Sequence, residues 1–276
     1  MKITNKYSLP EEIFRAINEE ETKRDPNRLS ATELCIPTRM LILKRRYDEQ
    51  LEEDASERLW RLFGKMIHKV LEEYGELTEQ KVTREIDGIT ISGVMDVIRE
   101  TQVDDYKVTS VWSYLFDPEG KQEWIEQLNI YRWLLQGIFN IKELKIHLIL
   151  RDWMKSKAET DEEYPKIPFI TLDLPIMDNI EEIIKQKVKK YLDNREKGDN
   201  DIEMCSDEER WRRPTIYAVM KKGRQRAVKL CNTKEDAEEM LKNDKNYYIE
   251  ARPGMDIRCE RYCIVRDICK QKREVI

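Results

Sequence analysis

The spacing of apolar residues predicts a long amphipathic helix near the start of the chain. In DASERLWRLFGKMIHKVLEEYG the residues Leu59, Phe63 and Ile67 recur every four positions, and Leu62 and Met66 lie beside them. Apolar residues at three- and four-residue intervals share one face of a helix. The segment is therefore predicted to be a helix with a wide apolar face.

In the segments that follow, apolar residues first recur at every second position and then again at about every fourth position. KVTREIDGITISGVMDVI contains two β-rich runs around Asp87-Gly88, which is a hairpin signal, and VDDYKVTSV predicts a third strand. EWIEQLNIYRWLLQGIF predicts an apolar helix, IKELKIHLILRDW a buried strand and IEEIIKQKVKKYLDNREKG an exposed amphipathic helix. This order predicts an α/β fold with a mixed sheet whose first strands form a meander.

The two ends of the chain carry smaller elements. A helix is predicted from Pro10 to Lys23, and Ser30 or Thr32 would cap another that runs through Tyr47. From about residue 200 the pattern predicts a hairpin in TIYAVMKKGRQRAVKLC, a short helix in TKEDAEEMLKN, a strand in YYIEARPG and a cysteine-rich tail. We therefore expect a core over residues 1–200 and a C-terminal module over residues 201–276.

Composition limits the classes of partner. The net charge of the 276 residues is -5, so a nucleic acid would have to be held by local basic patches or by metal ions. No apolar run approaches the roughly 18 residues of a membrane span, and the N-terminus lacks a signal-peptide pattern. We expect a cytoplasmic protein without a membrane partner, whose six cysteines are free thiols or metal ligands.

Three charges in VDDYKVTSV are unusual for a strand of the sheet. Residues two apart on a strand point to the same face, so Asp105 and Lys107 share a face and Asp104 points the opposite way. An acid and an ammonium on an interior strand are costly unless they are paired or functional. A solvated strand edge is the alternative. Asp104 is expected to be an ordinary polar residue.

Asp96, at the end of the preceding strand, favours the functional interpretation. Adjacent strands would bring Asp96 close to Asp105, and two carboxylates at short range repel each other unless one is protonated or a cation lies between them. Hard oxygen ligands favour Mg²⁺ or Mn²⁺.

Two helices would add side chains to these carboxylates. His68 lies on the helix that precedes the sheet, although a lone histidine on a helix is more often structural. We expect a structural role for His147, which lies in the apolar run KIHLIL. Gln127 and Tyr131 share a face of the later apolar helix, where they would bind a phosphate, hold the lysine or form a polar seam.

In order, these residues resemble the motifs of the RecB-like PD-(D/E)XK nucleases. The resemblance covers about residues 60–131 and comprises Gly64 to His68, Gly93 to Asp96, Asp105-Tyr106-Lys107 and Gln127 to Tyr131. Met95 stands where the family name has proline. The resemblance implies a restriction-endonuclease-like mixed β-sheet flanked by helices.

The resemblance also implies residue roles and a reaction. His68, Asp96 and Asp105 would bind the metal, with a backbone carbonyl near Tyr106, and Lys107 would orient or activate the attacking water. Gln127 and Tyr131 would position the phosphate or substrate. The implied activity is Mg²⁺- or Mn²⁺-dependent hydrolysis of DNA phosphodiesters.

The cysteine-rich tail suggests a second metal centre. Cys259, Cys263 and Cys269 form C-x3-C-x5-C, close to the triplet that holds an iron–sulfur cluster in the AddB and CRISPR-associated relatives. The longer first gap leaves zinc open beside a 4Fe–4S cluster. The fourth ligand is Cys205 or Cys35; we favour Cys205, because the C-terminal stretch resembles phage- and prophage-type nucleases. Cys231 is expected to be a structural thiol.

The C-terminal hairpin is the candidate DNA-binding patch. Residues 211–229 hold seven basic and no acidic residues, and Trp211 or Tyr217 would stack on a base. An exposed hairpin with ordinary solubilising charge is the alternative. The basic residues are Arg212, Arg213, Lys221, Lys222, Arg224, Arg226 and Lys229.

Taken together, the sequence predicts a metal-dependent deoxyribonuclease; we favour an exonuclease, and the endonuclease mode stays open. Phage replication, recombination or repair would suit it, with a helicase or recombination protein as a further partner. The alternatives are a catalytically silent nuclease-fold module that binds DNA and a zinc-stapled structural or regulatory protein.

Overall fold

A computed structural model describes residues 1–18, 25–74, 78–241 and 246–271. The chain divides into two compact units, Met1–Glu196 and Lys197–Ile276. In the described parts of both units, no helix is long and apolar enough to cross a membrane.

The larger unit contains eight described strands and eight described α-helices. The strands are β1 (Lys2–Thr4), β2 (Arg28–Ser30), β3 (Glu52–Asp54), β4 (Thr78–Ile86), β5 (Ile89–Ile98), β6 (Gln102–Thr109), β7 (Glu143–Leu150) and β8 (Phe169–Asp173). The helices are α1 (Glu11–Ile17), α2 (Ala31–Leu34), α3 (Thr38–Arg46), α4 (Leu59–Glu72), α5 (Val111–Phe116), α6 (Gln122–Leu134), α7 (Lys155–Thr160) and α8 (Ile180–Asn194). Short 3-10 turns lie at Asp48–Gln50 and Ala55–Arg58.

Six of these strands form one mixed sheet. Its order is β2-β5-β6-β7-β8, and β4 pairs with the other edge of β5. Strands β4, β5 and β6 form an antiparallel meander, β6 and β7 are parallel, and β8 is antiparallel to β7. The predicted α/β fold class, a mixed sheet flanked by helices, is confirmed.

The hairpin between β4 and β5 has the geometry that its sequence predicts. Asp87 has a φ of 49° and Gly88 a φ of 75°, both in the left-handed region. Two-residue hairpin loops with positive φ match the twist of the flanking strands, and Asp-Gly adopts them readily. The turn sets the register of the strand that carries Asp96.

Two predicted elements differ from the structure, and several short elements were not predicted. The helix predicted from Ser30 to Tyr47 is divided into α2 and α3 at Pro37, because proline disfavours helical backbone in the residue before it. The helix predicted from Pro10 to Lys23 ends as α1 at Ile17, and residues 19–24 lie outside the described parts. Strand β8, for example, was not predicted, because it is only five residues long and lies between Pro168 and Pro175.

Helices α6 and α4 meet the sheet differently. Helix α6 buries Leu128, Ile130 and Trp133 in the core of the larger unit. Helix α4 is amphipathic as predicted, but none of its described side chains is buried.

The smaller unit contains two short antiparallel sheets. Strand β10 lies between β11 and β12, and β9 pairs with β13. The predicted hairpin is present, with Gly223 at a φ of 83°, and Cys231 is buried with Val219 and Ala237, as expected for a structural thiol. The elements are α9 (Asp207–Arg210), β9 (Arg212–Arg213), β10 (Ile216–Lys221), β11 (Lys229–Cys231), α10 (Lys234–Leu241), β12 (Tyr247–Arg252), β13 (Met255–Asp256) and a π-helical turn at Arg258–Tyr262.

Candidate active site

The point where β5 and β6 separate creates room for polar side chains within the sheet. The two strands pair only through Val97 with Asp104 and Ile98 with Val103. Strand β2 pairs with β5 further back, at residues 90–92. Asp96 therefore lies on a stretch of β5 that pairs with neither β2 nor β6, and its carboxylate can accept hydrogen bonds from the diverging strand.

Asp96 joins the sheet to helix α4. The backbone N–H of Tyr106 donates to Asp96 Oδ2 at 2.8 Å. His68 Nδ1 lies 3.0 Å from Asp96 Oδ1, and His68 Nε2 lies 3.2 Å from the carbonyl oxygen of Tyr106. The hydrogen bond with Asp96 raises the pKa of His68, against the opposing effect of partial burial. Because both ring nitrogens face acceptors, the doubly protonated imidazolium fits this arrangement.

Asp105 and Lys107 lie on the same face of β6, as the spacing predicts. Asp105 is only 2% exposed, and Lys107 Nζ lies 2.7 Å from its Oδ2. Lys107 is therefore the ion-pair partner of Asp105 Oδ2, and no other residue in the described ranges donates to that oxygen. Burial raises the pKa of Asp105, while the charge of Lys107 opposes the rise. The site therefore contains a buried carboxylate oxygen that depends on the ammonium of Lys107.

Gln127 contacts Asp105, and Tyr131 contacts Gln127. Gln127 Nε2 lies 3.4 Å from Asp105 Oδ1 and donates to the Tyr131 hydroxyl at 2.7 Å. Both side chains are buried, and burial raises the pKa of Tyr131. Gln127 and Tyr131 therefore hold the Asp105 carboxylate in place. Any effect of these two side chains on a phosphate would be indirect.

Gly93 lets α6 approach β5 closely. A Cβ atom at Gly93 would lie 2.8 Å from Leu134 Cδ1 and 2.9 Å from two ring carbons of Tyr131. Contacts below 3.0 Å force the neighbours to move. The glycine of the G-x-x-D motif therefore has a packing role: it allows the Tyr131 ring to lie against the strand that carries Asp96.

We expect Gly93→Ala to lower the free energy of unfolding by about 1–3 kcal/mol, the usual cost of overpacking a core. Gly64→Ala is the matched control, because a Cβ at Gly64 meets nothing within 4 Å and alanine favours helix by about 0.5–1 kcal/mol. Urea unfolding of both variants checks this. Equal stability of the two variants would contradict the packing role.

Asp104 and His147 form a structural cluster on the opposite face of β6. Asp104 points away from Asp105 as predicted, but at 1% exposure it is not an ordinary polar residue. Arg99 Nε donates to its Oδ2 at 2.8 Å, Gln102 donates to its Oδ1, and His147 Nε2 lies 3.8 Å away. Burial alone would raise the pKa of Asp104, but these contacts hold it below its usual value.

The donor set suits a hard divalent cation, although it is not closed around one. In the described ranges, no three His, Cys, Asp or Glu side chains are grouped closely enough to hold a metal ion. The two carboxylates face internal cations instead, His68 beside Asp96 and Lys107 beside Asp105. A metal would replace these contacts, and the carbonyl oxygen of Tyr106 is a further oxygen suited to it.

Cys205 lies near the three tail cysteines within the smaller unit. Burial, with smaller contributions from the charges of Glu209, Cys269, Cys259 and Cys263, raises the pKa of Cys205 to about 12. The side chain of Gln271 also donates to the Cys205 carbonyl and accepts from its N–H, both at 3.0 Å. This clamp was missed, because no spacing pattern in the sequence links residues 66 positions apart.

Cys35 lies in the larger unit. Its Sγ donates to the carbonyl of Ala31 at 3.2 Å, and burial raises its pKa to about 12.

Most of the predicted DNA-binding residues are exposed on the β10–β11 hairpin and beside it. Arg213, Lys222, Arg224, Arg226 and Lys229 are exposed. Lys221 Nζ lies 5.2 Å from the centre of the Tyr247 ring.

Arg212 differs from the other basic residues. It lies 3.5 Å from Asp256, which also pairs with Arg210 at 2.6 Å. Of the two aromatic candidates, Tyr217 packs on the small core, whereas Trp211 is 42% exposed beneath the guanidinium of Arg258.

The comparisons with known proteins give only distant likenesses. No protein-family model matches the chain, and no curated protein matches it. Among solved structures, the alkaline exonuclease LHK-Exo from Laribacter hongkongensis is 13% identical, with 67% of this chain and 91% of that chain covered and a TM-score of 0.38. LHK-Exo in complex with dAMP has the same identity and coverage and a TM-score of 0.39. A likeness of this degree assigns no residue, so the site rests on its own geometry.

Proposed function

We propose that the chain is a Mg²⁺- or Mn²⁺-dependent deoxyribonuclease. The observation that carries the proposal is the meeting of Asp96, Asp105, Lys107 and His68 where β5 and β6 separate. The order of these residues along the chain, which resembles the RecB-like nucleases, supports it independently.

Each residue would have a distinct role. Asp96, Asp105 and His68 would hold the cation, while Gln127 and Tyr131 would position the Asp105 carboxylate. The bound cation would supply charge neutralisation at the scissile phosphate and a lower pKa for the attacking water. The ammonium of Lys107, 2.7 Å from Asp105 Oδ2, would orient that water or donate to a phosphate oxygen.

We further propose that Cys205, Cys259, Cys263 and Cys269 hold a 4Fe–4S cluster or zinc in the smaller unit. The charges of Cys269, Cys259 and Cys263 influence the pKa of Cys205, and the Gln271 clamp holds the Cys205 backbone. Metal binding would draw together thiols that, in the described ranges, are not yet grouped closely enough to hold a metal ion. Such a centre would stabilise a unit whose own apolar core is small, since a metal that binds only the folded state adds its binding free energy to folding.

The exposed basic side chains of the β10–β11 hairpin would bind the phosphate backbone of DNA. A role in phage replication, recombination or repair fits this activity, with a helicase or recombination protein as a partner. A catalytically silent DNA-binding module is the second candidate. The contact of Lys107 with Asp105 favours this second candidate, because an ion pair can stabilise the Asp105 carboxylate without any metal.

Cleavage of linear and circular DNA tests the proposal. We expect purified protein with Mn²⁺ to release nucleotides from end-labelled linear DNA and to leave closed circles intact, because an exonuclease needs an end. Nicked circles would indicate an endonuclease. Binding to both DNAs without cleavage of either would favour the silent module.

A further inference from the structure

The apolar face of helix α4 is exposed along its length. Trp60 is 50% and Phe63 48% exposed, with ring centres 5.6 Å apart, and Met66 and Val70 continue the row. Scattered exposed apolar residues are normal, but a contiguous row on one helix marks a surface that another molecule covers.

The same helix is basic. Arg61, Lys65 and Lys69 are exposed at four-residue spacing, so they share a face, and α4 has no acidic residue before Glu72. Arg61 also pairs with Glu53 at 3.0 Å. In a chain with a net charge of -5, this local excess of positive charge complements a polyanion.

Helix α5 presents a second exposed aromatic pair. The rings of Trp112 and Phe116 are stacked with centres 5.7 Å apart, and both side chains are exposed. A cation accompanies one ring of each pair: Lys157 Nζ lies 5.2 Å from the Trp112 ring centre, and Arg151 Cζ lies 4.5 Å from that of Trp60. Alternating aromatic and cationic groups suit stacked bases and their phosphates.

Arg151 and Asp152, which follow β7, contact the end of β6 and the two helices that carry the aromatic pairs. The N–H of Arg151 donates to the carbonyl of Thr109, and the Arg151 guanidinium lies over Trp60. Asp152 accepts hydrogen bonds from Ser110 Oγ and the N–H of Val111 at the start of α5. Arg151 therefore connects the end of β6 to the Trp60 ring, and Asp152 connects it to the start of α5.

Helix α4 also connects its aromatic pair to the carboxylates. His68, which contacts Asp96, comes eight residues after Trp60, about 12 Å along the helix axis. That distance is about three or four stacked nucleotides at roughly 3.4 Å each.

We propose that this aromatic platform, formed by Trp60, Phe63, Trp112 and Phe116, binds the unpaired nucleotides of a DNA end and leads them to the carboxylates. The proposal rests on the proposed nuclease function and adds a substrate class, DNA with a single-stranded end. Stacking on aromatic rings does not depend on base identity. A basic amphipathic helix also suits a lipid surface, but the continuity of the platform with His68 favours nucleic acid.

Oligonucleotides with and without bases test the proposal. We would measure fluorescence anisotropy with labelled oligothymidylate and an abasic strand of equal length, in buffer without added divalent metal. Wild-type protein should bind oligothymidylate about tenfold more tightly than the abasic strand, given the usual contribution of stacking. The double variant Trp60→Ala/Phe63→Ala should lose this preference and bind the two strands alike.

The matched control is Ile138→Ala/Ile167→Ala, which removes side chains that are 62% and 59% exposed elsewhere in the same unit. It should retain the wild-type preference, and thermal unfolding would verify that both variants fold. Trp60→Leu gives a further check, because it keeps apolar area without a stacking ring and should also weaken oligothymidylate binding.

Three results would overturn the proposal. One is a wild-type protein that binds both strands equally, and another is platform-dependent binding to phosphatidylserine vesicles in place of oligothymidylate. The third is a dimer that dissociates in the double variant without a change in DNA binding. All these measurements are independent of cleavage. A catalytically silent module with the platform would still prefer oligothymidylate over the abasic strand, whereas an active nuclease without the platform would not.

Discussion

Asp105→Asn is expected to lower the rate of DNA cleavage about a thousandfold, the scale of losing a group that stabilises transition-state charge. The carboxylate is buried, its Oδ2 is paired with Lys107 Nζ at 2.7 Å, and an amide cannot neutralise a cation. Release of label from end-labelled linear DNA with Mn²⁺ measures the effect. Asp105→Asn removes a buried negative charge, so thermal unfolding should verify that the variant folds.

Asp104→Asn is the matched control on the next residue of the same strand. It removes a charge from the Arg99 and Gln102 contacts on the opposite face, so we expect lower stability with cleavage retained below the unfolding temperature. If Asp104→Asn abolished cleavage in folded protein and Asp105→Asn did not, the assignment of the two faces would be wrong.

Cys205→Ser is expected to lower the metal content of the smaller unit by about a hundredfold and to destabilise that unit, since loss of a ligand costs more than loss of the groups that support it. Elemental analysis for iron and zinc, the visible spectrum of anaerobically purified protein and thermal unfolding measure the effect. Iron with a visible absorption would identify a cluster, and zinc in colourless protein would identify the alternative.

Cys35→Ser is the matched control for the cysteine site. Serine can keep the hydrogen bond that Cys35 Sγ donates to the carbonyl of Ala31, so we expect full metal content. Loss of metal in Cys35→Ser with retention in Cys205→Ser would reverse the choice of the fourth ligand. Metal-free wild-type protein would contradict the site altogether.

The sequence predicts the sheet because local signals in it agree. Asp87-Gly88 sets the hairpin, and the two-residue period of VDDYKVTSV correctly predicts opposite faces for Asp104 and Asp105. Two pairs of the residues that the motif order predicts to be together are in contact: His68 with Asp96, and Gln127 with Asp105.

Other features depend on contacts that no local pattern reports. The burial of Asp104 depends on Arg99 and Gln102 across the turn between β5 and β6, and the clamp of Cys205 depends on Gln271. The exposure of Trp60 also could not be predicted, because an amphipathic pattern shows which residues share a face but not whether another element covers that face.

The most direct test of the central claim is the metal dependence of cleavage at the Asp96–Asp105 site. End-labelled linear DNA would be incubated with wild-type protein in EDTA, and then with Mn²⁺ in excess over EDTA. The account predicts no cleavage in EDTA, recovery with Mn²⁺, and no recovery in Asp105→Asn. Cleavage by wild-type protein that continues in EDTA would contradict it.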